Sequence, residues 1–401
     1  MTEDLAWEDA RAAAFGLGTR LRSALPAAEI LPLSEALGRT LAEDVTALQG
    51  IPHYAASAMD GWAVAGTGPW RIVPRAPGDD PHAASDALGN HEARPILTGG
   101  ALPHGCTAVV RSEAATQYDD ALSGPEPSLG ADIRPAEREA RAGDVLLPAG
   151  TVLTPPRLAI AASSGRDEVS VVSAPRVGLV LSGREVVTSG VPLPGQVRDS
   201  FADFLPPVLR AWGAAESAPF KQRIGDSLEA TLEAITGTDA SIVVSTGGTG
   251  HSDHDFLRLA AEQLGAQILV PAVAMRPGHP AFLAALPDGR VIVGLPGNPL
   301  AAFMAALTIL LPLLDGVLGR ELAEPRLLKT AETFAELPGR VRLVPASVAE
   351  SGKSHHELRV QSQEHSGPAM LRGLGDADGV MIVPPQGTQP GDHVRWLELP
   401  W

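Results

Sequence analysis

The chain predicts a multidomain α/β protein with β-rich parts, and three observations carry that prediction. Between about residues 177 and 323, apolar strand-like runs alternate with amphipathic helical runs, the order that builds a parallel sheet with helices on both faces. Residues 51–141 and 324–401 instead carry short apolar runs broken by Gly, Pro and Asp, the texture of small β-rich units. At 401 residues the chain also exceeds one compact core, so roughly two to four domains are expected.

Residues 1–50 read as helical. In "SEALGRTLAEDV" the residues Leu37, Leu41 and Val45 share one helix face, behind Ser34 as cap and Glu35 in the first turn. The β-rich stretch opens with "IPHYAASAMDGWAVAG", in which Asp60 precedes a glycine. A D-G pair between apolar runs signals a tight turn, and a lone acid among small residues is also placed to meet a ligand. "RIVP" and "AVVRSE" follow as strands, and residues 119–130, "DDALSGPEPSLG", read as an exposed loop.

The alternating part then runs "RVGLVLSG" as strand, "DSFADFLPPVLRAWG" and "SLEATLEAIT" as helices, "ASIVVSTGG" as strand, "DHDFLRLAAEQLG" as helix and "RVIVGLPGN" as strand before a long apolar helix. The terminal runs "GRVRLVPASV", "HELRVQSQ", "GVMIVPP" and "HVRWLEL" form a small β-barrel or sandwich. No tandem repeat of 20–50 residues is evident.

Composition narrows the function classes. Apolar residues make up 44% and Cys106 is the only cysteine, so a soluble protein without disulfides in a reducing cytoplasm is expected. The opening "MTEDLAWEDARAAAFG" has no basic start followed by an apolar core, hence no secretory signal. The run Leu300–Leu314 contains Pro312 and is shorter than the roughly 20 residues that cross a bilayer, so it reads as a buried helix and no membrane is implied. A formal charge of −16 disfavours nucleic acid. An anionic small molecule stays compatible where a few Arg side chains and backbone N–H groups gather.

Three junctions offer such a place. In "SIVVSTGGTGHSDHDF" a strand runs into Gly247, Gly248 and Gly250 and then into a helix, with Asp253 and Asp255 at its start. Glycines let a backbone approach a phosphate, and the acids either cap the helix or hold its Mg²⁺. "VIVGLPGNPLAAF" places Pro296, then Asn298 as cap and Pro299 at the first helical position, a second strand-to-helix junction where ligands collect. "MRPGHP" supplies Arg276 and His279, either able to hold an oxyanion. "LVLSGREV" and "RIGDSLE" add Glu185 and Asp226. With Asp255 they make three acids at the carboxyl ends of what should be neighbouring strands.

These segments resemble the molybdopterin molybdenumtransferase family, the MoeA and gephyrin E-domain enzymes. The likeness runs in order through "SAMDGWAV", "ILTGGALPHGCTAVVRSE", "IRPAEREARAGDVLLPAGT", "SGREV", "GQVRDS", "TGGTGHSDHD", "MRPGHP", "GLPGNPLAAF" and "HSGPAMLRGLGDADGVMIVPP". It implies a helical connecting domain (residues 1–50 and 142–176) interrupted by a β-rich insert (51–141), an α/β molybdopterin-binding domain (177–323) and a C-terminal β-barrel (324–401). It further implies a homodimer with sites shared between subunits. The implied reaction consumes adenylylated molybdopterin and molybdate with Mg²⁺ and releases AMP. A molybdoenzyme or an adenylyltransferase is the implied partner.

By motif, Asp60 and Thr98 of the insert would face the partner's α/β domain. Glu185, Asp226 and Asp255 match acids around adenylate and metal. The molybdate pocket maps to Arg276, His279, Pro296, Pro299 and Ser366, and Arg134 matches a basic residue of the insert. The chain departs from the family pattern at Arg184, where T-G-D-E reads S-G-R-E, and at Arg276 and His279, where K-P-G-K-P reads R-P-G-H-P. It also departs at Phe201, in "RPAERE", and in "TGGTG". Alternatives of the same fold are an adenylyltransferase-like or tungstate-handling paralogue and a non-catalytic scaffold.

Overall fold

The computed structural model describes residues 4–74, 86–248, 255–350 and 358–400. The chain divides into two compact units, one of Met1–Ile30, Gly38–Ala42 and Ser170–Trp401, the other of Leu31–Leu37 and Glu43–Val169.

At the centre of the first unit lies a six-stranded sheet in the order Ala215–Arg223, Arg176–Leu181, Ile242–Thr246, Val291–Leu295, Phe282–Ala285, Gln267–Val270. The first four strands are parallel, as the alternating sequence requires. The last two are antiparallel, so the sheet is mixed. Successive side chains on a strand point to opposite faces, and here both faces are apolar. Val177, Leu179 and Leu181 pack with Leu205 and Leu209 of the helix Phe201–Ala211 and with the long apolar helix. Val180, Val243 and Ile292 pack on Ile235 of Leu228–Thr236 and Leu257 of Phe256–Gln263.

The apolar helix runs from Pro299 to Leu318 as three segments, Pro299–Ala305, a π-helical Ala306–Leu310, and Leu311–Leu318. The π segment widens the turn just before Pro312, whose ring would strike the carbonyl four residues earlier in a regular helix. The helix is 20 residues long, enough by length and composition to cross a membrane, yet 94% of its most apolar stretch is buried in the protein. It is a core helix, and the N-terminal helix Trp7–Arg22 packs along it.

In the same unit the strands Arg326–Thr330, Val341–Glu350, Leu358–Ser362, Gly379–Val383 and His393–Glu398 pair in a ring. Because the ring closes, the terminal element is a barrel and not a sandwich. Trp396, Met381 and Val360 fill it.

The second unit is built on a six-stranded sheet, with Gly61–Ala65 and Glu92–Ile96 inside it. Both its faces are buried, Val64 and Trp70 on one and Ala63 and Ile96 on the other. The sequence reading needs three corrections. The stretch 34–45 is not a helix: a single 3₁₀ turn, Leu33–Glu35, ends where Gly38 takes φ 77°, and Leu37 is exposed. The stretch 119–130 is not all loop, since Ala121–Ser123 is a strand with Leu122 in the core. Nor is Asp60-Gly61 a hairpin corner. Gly61 opens the strand Gly61–Ala65, while the preceding Ala56–Ser57 pairs elsewhere, with Ile133–Arg134. That glycine is required by close approach, because a Cβ there would lie 2.1 Å from the Val110 carbonyl oxygen.

Candidate functional site

After Leu181 the chain leaves the sheet, returns as the edge strand Ala215–Arg223, then crosses back to Ile242–Thr246 on the other side. Such a reversal opens a crevice beyond the carboxyl ends of the strands. A cavity of about 560 Å³ lies there, and Glu185, Asp226, Gly247, Gly248, Asn298 and Pro299 are among its lining residues. Gly247 (φ 82°) and Gly248 (φ 63°) turn in the left-handed region, which only glycine enters without strain.

The Asp226 carboxylate is held by the facing turn. Oδ1 accepts the Gly183 N–H at 2.9 Å and Oδ2 the Arg184 N–H at 3.0 Å, with Arg184 Nε 3.5 Å away. Asp255 is the cap residue of Phe256–Gln263, whose first two residues line the cavity. Gly250 and Asp253 lie outside the described residues. Among the described residues no group of three His, Cys, Asp or Glu side chains is placed to hold a metal ion.

The expected oxyanion residues sit on three segments around the start of the helix Pro299–Ala305. A Cβ on Gly278, between Arg276 and His279, would lie 3.1 Å from the Ala301 carbonyl oxygen. The Ala301 N–H donates to the Pro368 carbonyl at 3.1 Å, which brings in the loop of Ser366, and Pro296 is buried at the end of the preceding strand. Arg276 is exposed and belongs to a short strand paired with Val341–Arg342. His279 has a partner the sequence did not suggest: Nε2 lies 2.8 Å from Asp4 Oδ2, and Arg340 approaches the same oxygen at 3.6 Å.

In the second unit, Asp60 and Thr98 form a pair. Asp60 Oδ1 accepts the Thr98 N–H at 2.6 Å and the Thr98 hydroxyl at 2.9 Å. These bonds, the backbone one foremost, lower the Asp60 pKa and hold an exposed acid ionised. Arg134 is exposed, on the strand opposite Ala56.

Motif reading missed part of the cavity wall. Arg198, Asp199 and Arg223 line it. The Asp199 side chain is 2% exposed, is ion-paired with Arg223 and accepts the Ala202 N–H at 3.1 Å. The available signal was "RDS" before a helix, where an acid caps the first turn. Nothing in "FKQR" marked Arg223.

Three family models match in chain order: the MoeA N-terminal region (domain I and II) over residues 5–165, a probable molybdopterin binding domain over 178–316, and the MoeA C-terminal region (domain IV) over 328–399. The molybdopterin molybdenumtransferase of Synechococcus elongatus is 33% identical over 343 residues, covering 80% of this chain and 84% of that protein. That of Staphylococcus aureus is 30% identical over 340 residues, covering 81% and 80%. A crystal structure of a molybdopterin biosynthesis MoeA protein from Pyrococcus horikoshii superposes with a TM-score of 0.71 at 21% identity, covering 99% of both chains, a likeness of fold. With three consecutive models spanning nearly its whole length and relatives at this identity, the chain belongs to the molybdopterin molybdenumtransferase (MoeA) family.

Proposed function

We propose that the protein is a molybdenum insertase of molybdenum cofactor biosynthesis, which takes adenylylated molybdopterin and molybdate, releases AMP and leaves molybdenum on the pterin dithiolene. The observation that carries this reading is the cavity at the strand reversal, walled by a left-handed glycine turn, the Asn298-Pro299 helix start and the acids Glu185 and Asp226. Backbone N–H groups at a glycine turn and a helix start suit phosphate. The loops of Arg276, His279 and Ser366, whose neighbours Gly278 and Pro368 meet the Ala301 backbone, suit a tetrahedral oxyanion beside the helix start.

Mg²⁺ takes oxygen ligands from one or two carboxylates plus phosphate oxygens, so the absence of a three-acid group among the described residues is compatible with it. Glu185 and Asp255 are the acids that would hold the ion, which neutralises phosphate charge when bound. The protein is further proposed to assemble as a cytoplasmic homodimer in which Asp60, Thr98 and Arg134 of one protomer meet the cavity of its partner. The test is incubation of the protein with adenylylated molybdopterin, Mg²⁺ and molybdate, following AMP release and activation of a cofactor-free molybdoenzyme. Activation that depends on molybdate supports insertion. AMP release without activation, or preference for tungstate, supports a paralogue, and neither signal with ligand bound supports a scaffold.

A further inference from the structure

We propose that Asp226 is a positioning residue, a clamp on the Ser182–Glu185 turn and not a metal ligand; the proposal rests on the insertase reading of the same cavity. Both of its carboxylate oxygens are committed to that turn. One backbone N–H binds each carboxylate oxygen, Gly183 at 2.9 Å and Arg184 at 3.0 Å, which fixes the turn in orientation as well as distance. The Arg184 guanidinium, 3.5 Å from Oδ2, offsets the negative charge that a cation would require. The turn is fastened elsewhere too. The Ser182 hydroxyl donates to the Thr246 carbonyl at 3.1 Å, and the Glu185 carbonyl accepts the Val197 N–H at 2.9 Å. Between these ties stands Glu185, whose placement in the cavity the clamp therefore sets. Asp226 acts through Glu185.

Hydrogen exchange and Mn²⁺ binding test this. In Asp226→Asn one carboxylate oxygen becomes an NH₂ that meets a backbone N–H, donor against donor, while the other still accepts, so exchange of one of the two amides, Gly183 or Arg184, should accelerate about tenfold in the ligand-free protein, the equivalent of one net hydrogen bond. Asp226→Glu keeps the charge but displaces the carboxylate, and should accelerate the same two amides if Asp226→Asn folds poorly. The affinity for Mn²⁺ alone, read by electron paramagnetic resonance, should fall in Glu185→Gln. Adding Asp226→Asn to that variant should cost nothing more, since one residue acts through the other. Unchanged exchange at both amides overturns the clamp, and so does a further loss of about tenfold or more in the Glu185→Gln background, which a residue acting only through Glu185 does not cause. If Mn²⁺ does not bind, exchange alone decides. That arm uses no substrate, so failure of the insertase reading leaves it standing.

Discussion

Asp60 and Asp315 are opposite cases of one residue type. Asp60 is exposed and its pKa is lowered by the two donors of Thr98, so it stays an anion at any physiological pH. Asp60→Asn should leave thermal stability within about 2 °C, as expected of a surface change, while AMP release falls more than about tenfold; normal release would remove Asp60 from the site. Asp315 is buried near Arg320 and Arg11, yet desolvation outweighs their attraction and its pKa is raised to about 6. For a carboxyl raised in the folded state, the native protein binds more protons than the unfolded chain between the two pKa values, so its contribution to stability is complete below about pH 4 and is lost as pH rises through 6. Asp315→Asn should be more stable than the native protein at pH 7.5, by at most about 3 kcal/mol, and the difference should shrink to about 1 kcal/mol near pH 4.5. Urea melts at the two pH values check this. His279 belongs to the same scale: with Asp4 2.8 Å from its ring nitrogen, an oxyanion binding there, as proposed, would have to displace a carboxylate. Asp4→Asn should therefore tighten molybdate binding by calorimetry, whereas an unchanged constant would separate His279 from the oxyanion.

At the scale of elements, Trp7–Arg22 crosses Leu311–Leu318 with backbone against backbone. A Cβ on Gly18 would lie 2.0 Å from the Leu313 carbonyl oxygen, and one on Gly316 2.3 Å from that of Phe15. These atoms are backbone and cannot step aside. Gly316→Ala should cost about 1–3 kcal/mol by urea unfolding, whereas Gly16→Ala, with only the end of Arg20 near at 3.8 Å, should gain up to about 1 kcal/mol from helix propensity. Equal effects would show that the helices move apart at little cost. Three strands of the central sheet, Arg176–Leu181, Ile242–Thr246 and Val291–Leu295, were legible because burial on both faces leaves continuous apolar runs such as Val177–Leu181. The edge strand Ala215–Arg223 was not, because solvent on one side lets Glu216, Lys221 and Pro219 into it. The same contrast holds at the site. Gly247, Gly248 and the Asn298-Pro299 cap act through local backbone, which sequence displays. The bonds from Asp226 to Gly183 and from His279 to Asp4 span 43 and 275 residues, and no local pattern announces them.

For the whole molecule, the proposed assembly predicts complementation. Neither Asp60→Ala nor Asp255→Ala should release AMP alone, but mixed dimers should regain one working site, with subunit exchange verified by native mass spectrometry. Activity that stays absent after exchange would place each site within a single chain. A different consequence follows from the buried helix Pro299–Leu318. Its partner, Trp7–Arg22, is made first, and the bond from the Trp7 indole to the Thr308 hydroxyl closes a loop of 301 residues. At about 5–20 residues per second, the early helix leaves the ribosome about 15–60 seconds before the segment that covers it. When that segment emerges, it has the length and apolarity of a membrane span, and the waiting helix competes with any lipid surface for it. Synthesis itself is thus a race between two destinations for the same twenty residues. Polar substitutions on the inner face of Trp7–Arg22 should tilt it, raising the membrane-associated fraction of newly made chains.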